Sequence, residues 1–294
     1  MQQISVVGLG KLGLCMAACI AAKGFKVIGV DVDESRIRQL SAGECPIAEK
    51  DLPELLRRVR ENLRFTTDVN DAVRNSAATF IVVATPSDPS GSFSNQYLMA
   101  AVGAIADSLK AKSTPHYVVV TSTVMPGTTG GPVRSLIEAR SGKRCGSDVG
   151  LAYNPEFIAL GTVVRDFQNP DFILAGQSDD ATGDFLERFY RQVCDNNPPV
   201  ARMNLISAEI AKLSLNCYVT MKISFANTLA EVCEKSPGAN IDAITSGIGI
   251  DRRIGLPYLK GGLGFGGPCF PRDNQAFAAY AQQVGAQTMM PRTV

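Results

Sequence analysis

Apolar positions in this chain follow two rhythms that alternate along most of its length. Ile4 to Val7 is a short, β-branched run closed by Gly8, and Leu14 to Ala22 is apolar and alanine-rich up to Gly24, as in a helix lying on a sheet. Lys26 to Val30 is a second strand, ending at Asp31. The alternation continues: Glu34 to Gly43 and Asp51 to Asn62 read as helices, Leu63 to Thr66 as extended, and Thr79 to Ala84 as a buried strand. Asn95 to Lys110 is a helix, Tyr117 to Thr121 and Asp148 to Tyr153 are strands, and Asp171 to Ala175 with the helix Asp179 to Val193 completes the series. Strands separated by helices imply a parallel sheet. After Pro198 and Pro199 the rhythm changes. Ser207 to Glu234 is one long helical pattern without proline or glycine, followed by Asn240 to Ile248 and Asp273 to Val284. Two domains are expected, residues 1–198 and 199–294.

The first strand runs into Gly8-Leu9-Gly10-Lys11-Leu12-Gly13, a GxGxxG between strand and helix, and the second strand ends in an acid. That order and spacing define a dinucleotide-binding βαβ unit, so the fold class is α/β: a Rossmann-like parallel sheet with helices on both faces, then a mainly helical domain built on one long helix. The glycines allow a tight turn and close approach of a pyrophosphate, and the helix start offers unpaired N–H groups. Asp31 accepts from ribose hydroxyls and repels a 2′-phosphate, which argues for NAD over NADP. A lone GxGxxG is weak evidence; here strand, helix, second strand and acid accompany it. Ligands of such sheets sit beyond the carboxyl ends of the strands. Those ends carry Thr85-Pro86-Ser87, Ser122-Thr123-Val124-Met125-Pro126-Gly127-Thr128-Thr129 and Asn154-Pro155-Glu156-Phe157. Helix capping accounts for some of these hydroxyls; Thr123 is the one singled out for function.

Composition narrows the chemistry. Lys and Arg number 29 against 28 Asp and Glu among 294 residues, which gives no global pull toward nucleic acid or a membrane surface. No apolar run is long enough for a membrane helix. The opening MQQISVVGLG enters a strand pattern without a charged leader, so a cytoplasmic address is expected. Eight scattered cysteines then read as reduced thiols. No CxxC pair occurs and His116 is the single histidine, which leaves little material for a metal site and none for a His-dependent triad. His116 itself precedes a strand, where a loop or strand-edge role is expected.

The remaining chemistry converges on Gly261 to Asp273, GGLGFGGPCFPRD. Its glycines let the backbone approach a ligand, and Cys269 is its one strong nucleophile, followed closely by Arg272 and Asp273. A cysteine beside a cation is a chemical candidate, against the bland alternative of a buried structural thiol. Lys212 and Asn216 lie four apart, on one face of the long helix, aimed either into a site or at solvent.

As an ordered set, GLGKLG from Gly8, Asp31, Thr85-Pro86, STVMPGTT from Ser122, NPEF from Asn154, Lys212 with Asn216, RIG at Arg253 to Gly255, and GFGGPCFPRD from Gly264 resemble the UDP-glucose/GDP-mannose dehydrogenase family. The resemblance implies NAD-dependent oxidation of a nucleotide sugar's primary alcohol to a carboxylate, as in polysaccharide biosynthesis. Cys269 would form a thiohemiacetal and then a thioester, Lys212 and Asn216 would stabilise the oxyanion, Asp273 and Thr123 would hold the water, and Glu156 would be the general base. It also implies that Gly8, Gly10, Lys11, Leu12, Gly13 and Asp31, with Thr85, Pro86, Thr123 and Arg272, hold NAD. The sugar nucleotide would meet Phe157, Leu160, Lys212, Asn216 and Gly266, with Arg253 reaching a neighbouring subunit's substrate, so a homodimer is implied.

The chain departs from the family pattern in three places. After NPEF it has Ala159-Leu160-Gly161, leucine replacing a second carboxylate, and Thr228 stands where glutamate is common. Family members usually continue into a further nucleotide-gripping domain, whereas this sequence stops at Val294, so a chain lacking that grip is expected, whether by truncation or by nature. Two other readings stay open at this point. One is a two-electron dehydrogenase of the 6-phosphogluconate or 3-hydroxyacid type, which leaves Cys269 without a task; the other is a non-catalytic NAD-binding or assembly protein.

Overall fold

The computed structural model describes residues 3–287, so the last residues of the expected second domain, 288–294, lie outside it. The chain divides into two compact units, Met1–Pro86 with Ser94–Glu209, and Ser87–Phe93 with Ile210–Val294.

The first unit is an eight-stranded sheet: β1 (Gln3–Val7), β2 (Lys26–Val30), β3 (Leu63–Thr66), β4 (Ala78–Ile81), β5 (His116–Val120), β6 (Val149–Tyr153), β7 (Ile173–Gln177) and β8 (Val200–Asn204), in spatial order β3-β2-β1-β4-β5-β6-β7-β8. From β1 the chain winds outward through α1 (Lys11–Ala22), α2 (Glu34–Ala42) and α3 (Leu52–Arg58) to β3, then crosses back by α4 (Val69–Asn75) to β4. Right-handed crossovers that reverse direction between β1 and β4 put their helices on opposite faces and open a crevice at that point. One face carries the main core. Nine consecutive residues of α1, Gly13 to Ala21, are buried there with Ile4, Val6 and Phe80 of the sheet. An alanine-rich helix suits this place, because small side chains let it sit close to the strands. On the other face α4, α5 (Gln96–Leu109) and α6 (Arg134–Ser141) pack successively against one another.

The sheet is parallel except where β7 runs antiparallel to β6. The connection holds only α7 (Val163–Gln168). Six helical residues rise about 9 Å, short of the roughly 16 Å of a five-residue strand, so the chain re-enters from the carboxyl edge. The longer α8 (Asp180–Val193) then restores a parallel crossover to β8. Several element ends also differ from the sequence reading. The helix expected to reach Asn62 stops at Arg58, because Asn62 turns inward to donate to the Ala21 carbonyl and accept from Lys26. The elements α4, α6, α7 and β8 had no clear signal; α6 hides behind Thr-Gly-Gly-Pro, which forms a π-helical turn at Thr129–Val133.

His116 stands at the start of its strand and not in the loop before it. It opens β5, between β4 and β6, and is buried. Its Nδ1 lies 3.1 Å from the Ser76 carbonyl, which can only accept, so the proton sits on Nδ1 and Nε2 accepts from Thr79 Oγ1 at 2.9 Å. Burial, with Lys112 nearby, drops its pKa to about 3.

The second unit is helical. The 30-residue α9 (Leu205–Glu234) contributes its residues from Ile210 onward, joined by α10 (Ile241–Ile248) and α11 (Phe270–Gln283). The sequence pattern started α11 at Asp273; the helix begins three residues earlier because Pro271, in its first turn, needs no N–H partner there. Thr228, on α9, is exposed and donates back to the Ser224 carbonyl. Among the described residues no helix is long and apolar enough to cross a membrane.

Candidate functional site

In the first unit the three motif glycines serve three different purposes. Gly8 follows β1 with φ +96°, and a Cβ there would lie 2.4 Å from the Val82 carbonyl oxygen. A Cβ on Gly13 would meet the Gly8 carbonyl oxygen at 1.9 Å, so this glycine sets how closely α1 approaches the turn. A Cβ on Gly10 would meet nothing within 4 Å. That open space over the start of α1, beside N–H groups at a helix terminus, is the shape a pyrophosphate fills. Lys11 is exposed and Leu12 half-buried in the first turn of the helix.

Asp31 ends β2 and is 7% exposed. Its Oδ2 accepts from the Leu9 N–H at 2.7 Å and from Arg36 Nη1 at 2.9 Å, and its Oδ1 accepts from the Asp33 N–H at 3.0 Å. A carboxylate has about four acceptor positions, so three donors orient it and leave capacity for a ribose hydroxyl. Arg36 was missed in the sequence because only α2 brings it back to Asp31.

The loops after β4 and β5 are stitched together. Thr85 Oγ1 donates to the Thr123 carbonyl at 2.7 Å, while Ser122 Oγ accepts from the Val83 N–H at 2.9 Å and donates to the Val83 carbonyl at 2.7 Å. Thr85 is buried, Pro86 beside it exposed and Thr123 half-buried. Beyond β6, Asn154 is locked: its Nδ2 donates to the Leu174 carbonyl at 2.9 Å and its Oδ1 accepts from Tyr190 at 2.5 Å. The same phenol lies 3.3 Å from Glu156 Oε1. Burial and the Glu156 carboxylate push the Tyr190 hydroxyl well above its ordinary pKa, so it stays protonated as a donor. Phe157 packs on Phe172 with ring centroids 5.0 Å apart, and Leu160 is 55% exposed.

In the second unit Lys212, Asn216 and Asp273 are all buried, and Asn216 Nδ2 donates to Asp273 Oδ2 at 2.6 Å. Burial raises the Asp273 carboxyl, opposed by Lys212, the Asn216 hydrogen bond and Arg272. The helix-face pair of the sequence thus faces a carboxylate rather than solvent. Arg272 lies over the Phe93 ring, 3.9 Å from its centroid. Cys269 is the N-cap of α11, and its carbonyl accepts from the Asp273 N–H at 2.8 Å. It is the one exposed cysteine of the eight, all of which are among the described residues, and none is disulfide-bonded. Burial raises the thiols of Cys15, Cys145, Cys194 and Cys217 to about 12, which silences them as nucleophiles. Gly266 is exposed, and Arg253 is exposed and paired with Asp251 at 2.6 Å. Among the described residues no group of three or more His, Cys, Asp or Glu is placed to hold a metal.

The NAD-binding-domain model of the UDP-glucose/GDP-mannose dehydrogenase family matches residues 2–194, and that family's central-domain model matches residues 206–294. UDP-glucose 6-dehydrogenase AglM of Haloferax volcanii is 38% identical over 96% of this chain and 66% of its own length. GDP-mannose 6-dehydrogenase of Pseudomonas aeruginosa is 36% identical over 98% of this chain and 66% of its own length. The solved UDP-glucose dehydrogenase of Pyrobaculum islandicum superposes with a TM-score of 0.91 at 36% identity, covering 100% of this chain and 67% of that one. The chain spans just under two thirds of the length of the curated relatives it matches. Its first unit is the family's NAD-binding fold. Motif order, sheet topology and these matches agree: the chain belongs to the UDP-glucose/GDP-mannose dehydrogenase family.

Proposed function

We propose that the protein oxidises a nucleotide sugar of the UDP-glucose or GDP-mannose type to the uronic acid, in two NAD-dependent stages with Cys269 as covalent nucleophile. The supporting observation is the contrast among the thiols: Cys269 is exposed at the start of α11, one turn before the Asp273 that Asn216 holds, while burial silences Cys217 nearby on α9. NAD, when bound, takes up the hydride released at each oxidation. Cys269 Sγ adds to the aldehyde carbon, giving a thiohemiacetal whose oxidation leaves a thioester. Lys212 and Asn216 are the donors for the oxyanion that grows on that carbon, and Asp273 orients the hydrolytic water. From the first unit, Thr123 is a second water-holding hydroxyl and Glu156 the general base, with Asn154 and Tyr190 fixing its surroundings. Phe157, Leu160, Gly266 and Arg253 are assigned to the substrate, and Arg272 to the cofactor.

The protein in this reading is a homodimer. Tyr218, Phe225 and Val232 recur every seven residues along α9, each at least half exposed, and so share one face of the helix that a second copy covers. Eight unpaired cysteines suit a reducing cytoplasm. The deciding experiment counts NADH released per sugar consumed, with UDP-glucose, GDP-mannose and their N-acetyl relatives offered in turn. Two per sugar is expected. One per sugar favours a two-electron dehydrogenase, and none, in protein that binds NAD, favours a non-catalytic role.

A further inference from the structure

Two turns at the carboxyl edge of the sheet share one hydrogen-bond skeleton. In Met125-Pro126-Gly127-Thr128, after β5, the Thr128 N–H returns to the Met125 carbonyl at 3.1 Å; in Ala159-Leu160-Gly161-Thr162, after β6, the Thr162 N–H returns to the Ala159 carbonyl at 3.3 Å. The third residue of each is a glycine in the left-handed region, φ +91° at Gly127 and +94° at Gly161, as a type II turn requires. At both turns a glutamate from a distant part of the first unit accepts from the N–H of that glycine and from the N–H of the residue just past the turn. Glu209 accepts from Gly127 N at 2.5 Å on Oε2 and from Thr129 N at 2.7 Å on Oε1. Glu49 accepts from Gly161 N at 3.0 Å on Oε2 and from Val163 N at 3.1 Å on Oε1. Glu209 is 0% and Glu49 8% exposed. Fully buried carboxylates are rare unless their acceptors are used, and here both oxygens of each are spent on backbone.

We infer that Glu209 and Glu49 are positioning residues, which clamp the turns that begin two residues after Thr123 and three residues after Glu156 and thereby fix where those two side chains stand. The reason lies in the donor set. Each turn leads straight into helical backbone, the π-helical turn before α6 in one case and α7 in the other, whose first N–H groups have no partner of their own. A carboxylate satisfies one of them, that of Thr129 or Val163, together with the N–H of the turn glycine, and adds a favourable charge at the helix start. Neither the sequence spacing nor any motif announces the pairing, since the partners lie 80 or more residues apart.

The functional half of this inference rests on the dehydrogenase reading; the clamp itself does not. The test uses the full chain and two isosteric variants, Glu209→Gln and Glu49→Gln. An amide offers one acceptor and sets its NH₂ against the second backbone N–H, so each clamp opens with hardly any change in volume. In Glu209→Gln, amide hydrogen exchange is expected to rise at least tenfold in peptides covering residues 125–130 and to stay within twofold at 159–164; Glu49→Gln is expected to do the reverse. With nucleotide sugar and NAD, each variant is expected to lose at least tenfold in kcat/KM while the bulk of the sheet keeps its protection. Unchanged exchange at the clamped turn overturns the proposal, and so does an equal rise across the whole unit, which marks general destabilisation. Local opening with full kcat/KM overturns the positioning role. If neither variant folds, the wild-type amides of Gly127, Thr129, Gly161 and Val163 decide: exchange at least 100-fold slower than in open loops is expected, and fast exchange refutes the clamps. A wild-type chain without turnover sinks the dehydrogenase reading alone, leaving the exchange results to stand.

Discussion

Asn216 and Asp273, 57 positions apart, meet as a buried amide-to-carboxylate hydrogen bond of 2.6 Å. It joins the helix carrying Lys212 to the first turn of the helix capped by Cys269. Removing the donor leaves a buried carboxylate partly unsatisfied, so Asn216→Ala is expected to cost about 1–3 kcal/mol in urea unfolding. Its acid-forming rate should fall by more than its NAD affinity.

Cys269→Ser should bind NAD as tightly as the parent chain and form no acid. Wild-type acid production by that variant would end the nucleophile assignment. Exposure gives an independent check. Brief treatment with iodoacetamide should alkylate Cys269 first among the eight cysteines, with Cys217 and Cys145 untouched until the chain unfolds, as read by peptide mass spectrometry.

Gly10→Ala and Gly13→Ala separate folding from cofactor binding. A methyl at position 10 enters open space, so the melting temperature should hold while NAD affinity, measured by calorimetry, drops at least tenfold. At position 13 the same methyl lies 1.9 Å from the Gly8 carbonyl oxygen, and α1 must shift. Stability is then expected to fall by about 1–3 kcal/mol, as in overpacked cores.

His116 makes stability depend on pH. Its folded pKa of about 3 lies below the ordinary histidine value, so its stabilising contribution is complete above about pH 6.5 and is lost as pH falls from there toward 3. The slope is at most about 1.4 kcal/mol per pH unit. His116→Gln should flatten the stability profile between pH 4 and 6, measured by chemical unfolding at each pH. An unchanged slope would mean that His116 titrates normally.

Phe225→Lys places a charge in the middle of the exposed stripe of α9. Sedimentation should show the parent chain as a dimer and the variant as a monomer with the same far-ultraviolet spectrum. A monomeric parent chain would dismiss the stripe as an interface.

The sequence by itself determined the elements whose pattern is local: the strand, glycine turn and helix from Ile4 to Ala22, the acid at Asp31, the long helix without breakers, and the cysteine between glycines and Arg-Asp. These are legible because periodicity, turn chemistry and motif spacing act over a few neighbouring residues. Short elements behind glycine and proline, such as α6, were not, since their local propensity is poor and packing on α5 supplies what it lacks. Only the tertiary structure decided that β7 runs antiparallel, that Arg36 pairs with Asp31, that His116 is a buried neutral acceptor, and that Glu49 and Glu209 hold turns far from them in the chain. The His116, Glu49 and Glu209 bonds are long-range pairings of buried polar groups. The demand that such a group find a partner is written in its chemistry, but which partner it finds is set by the path of the chain through the fold.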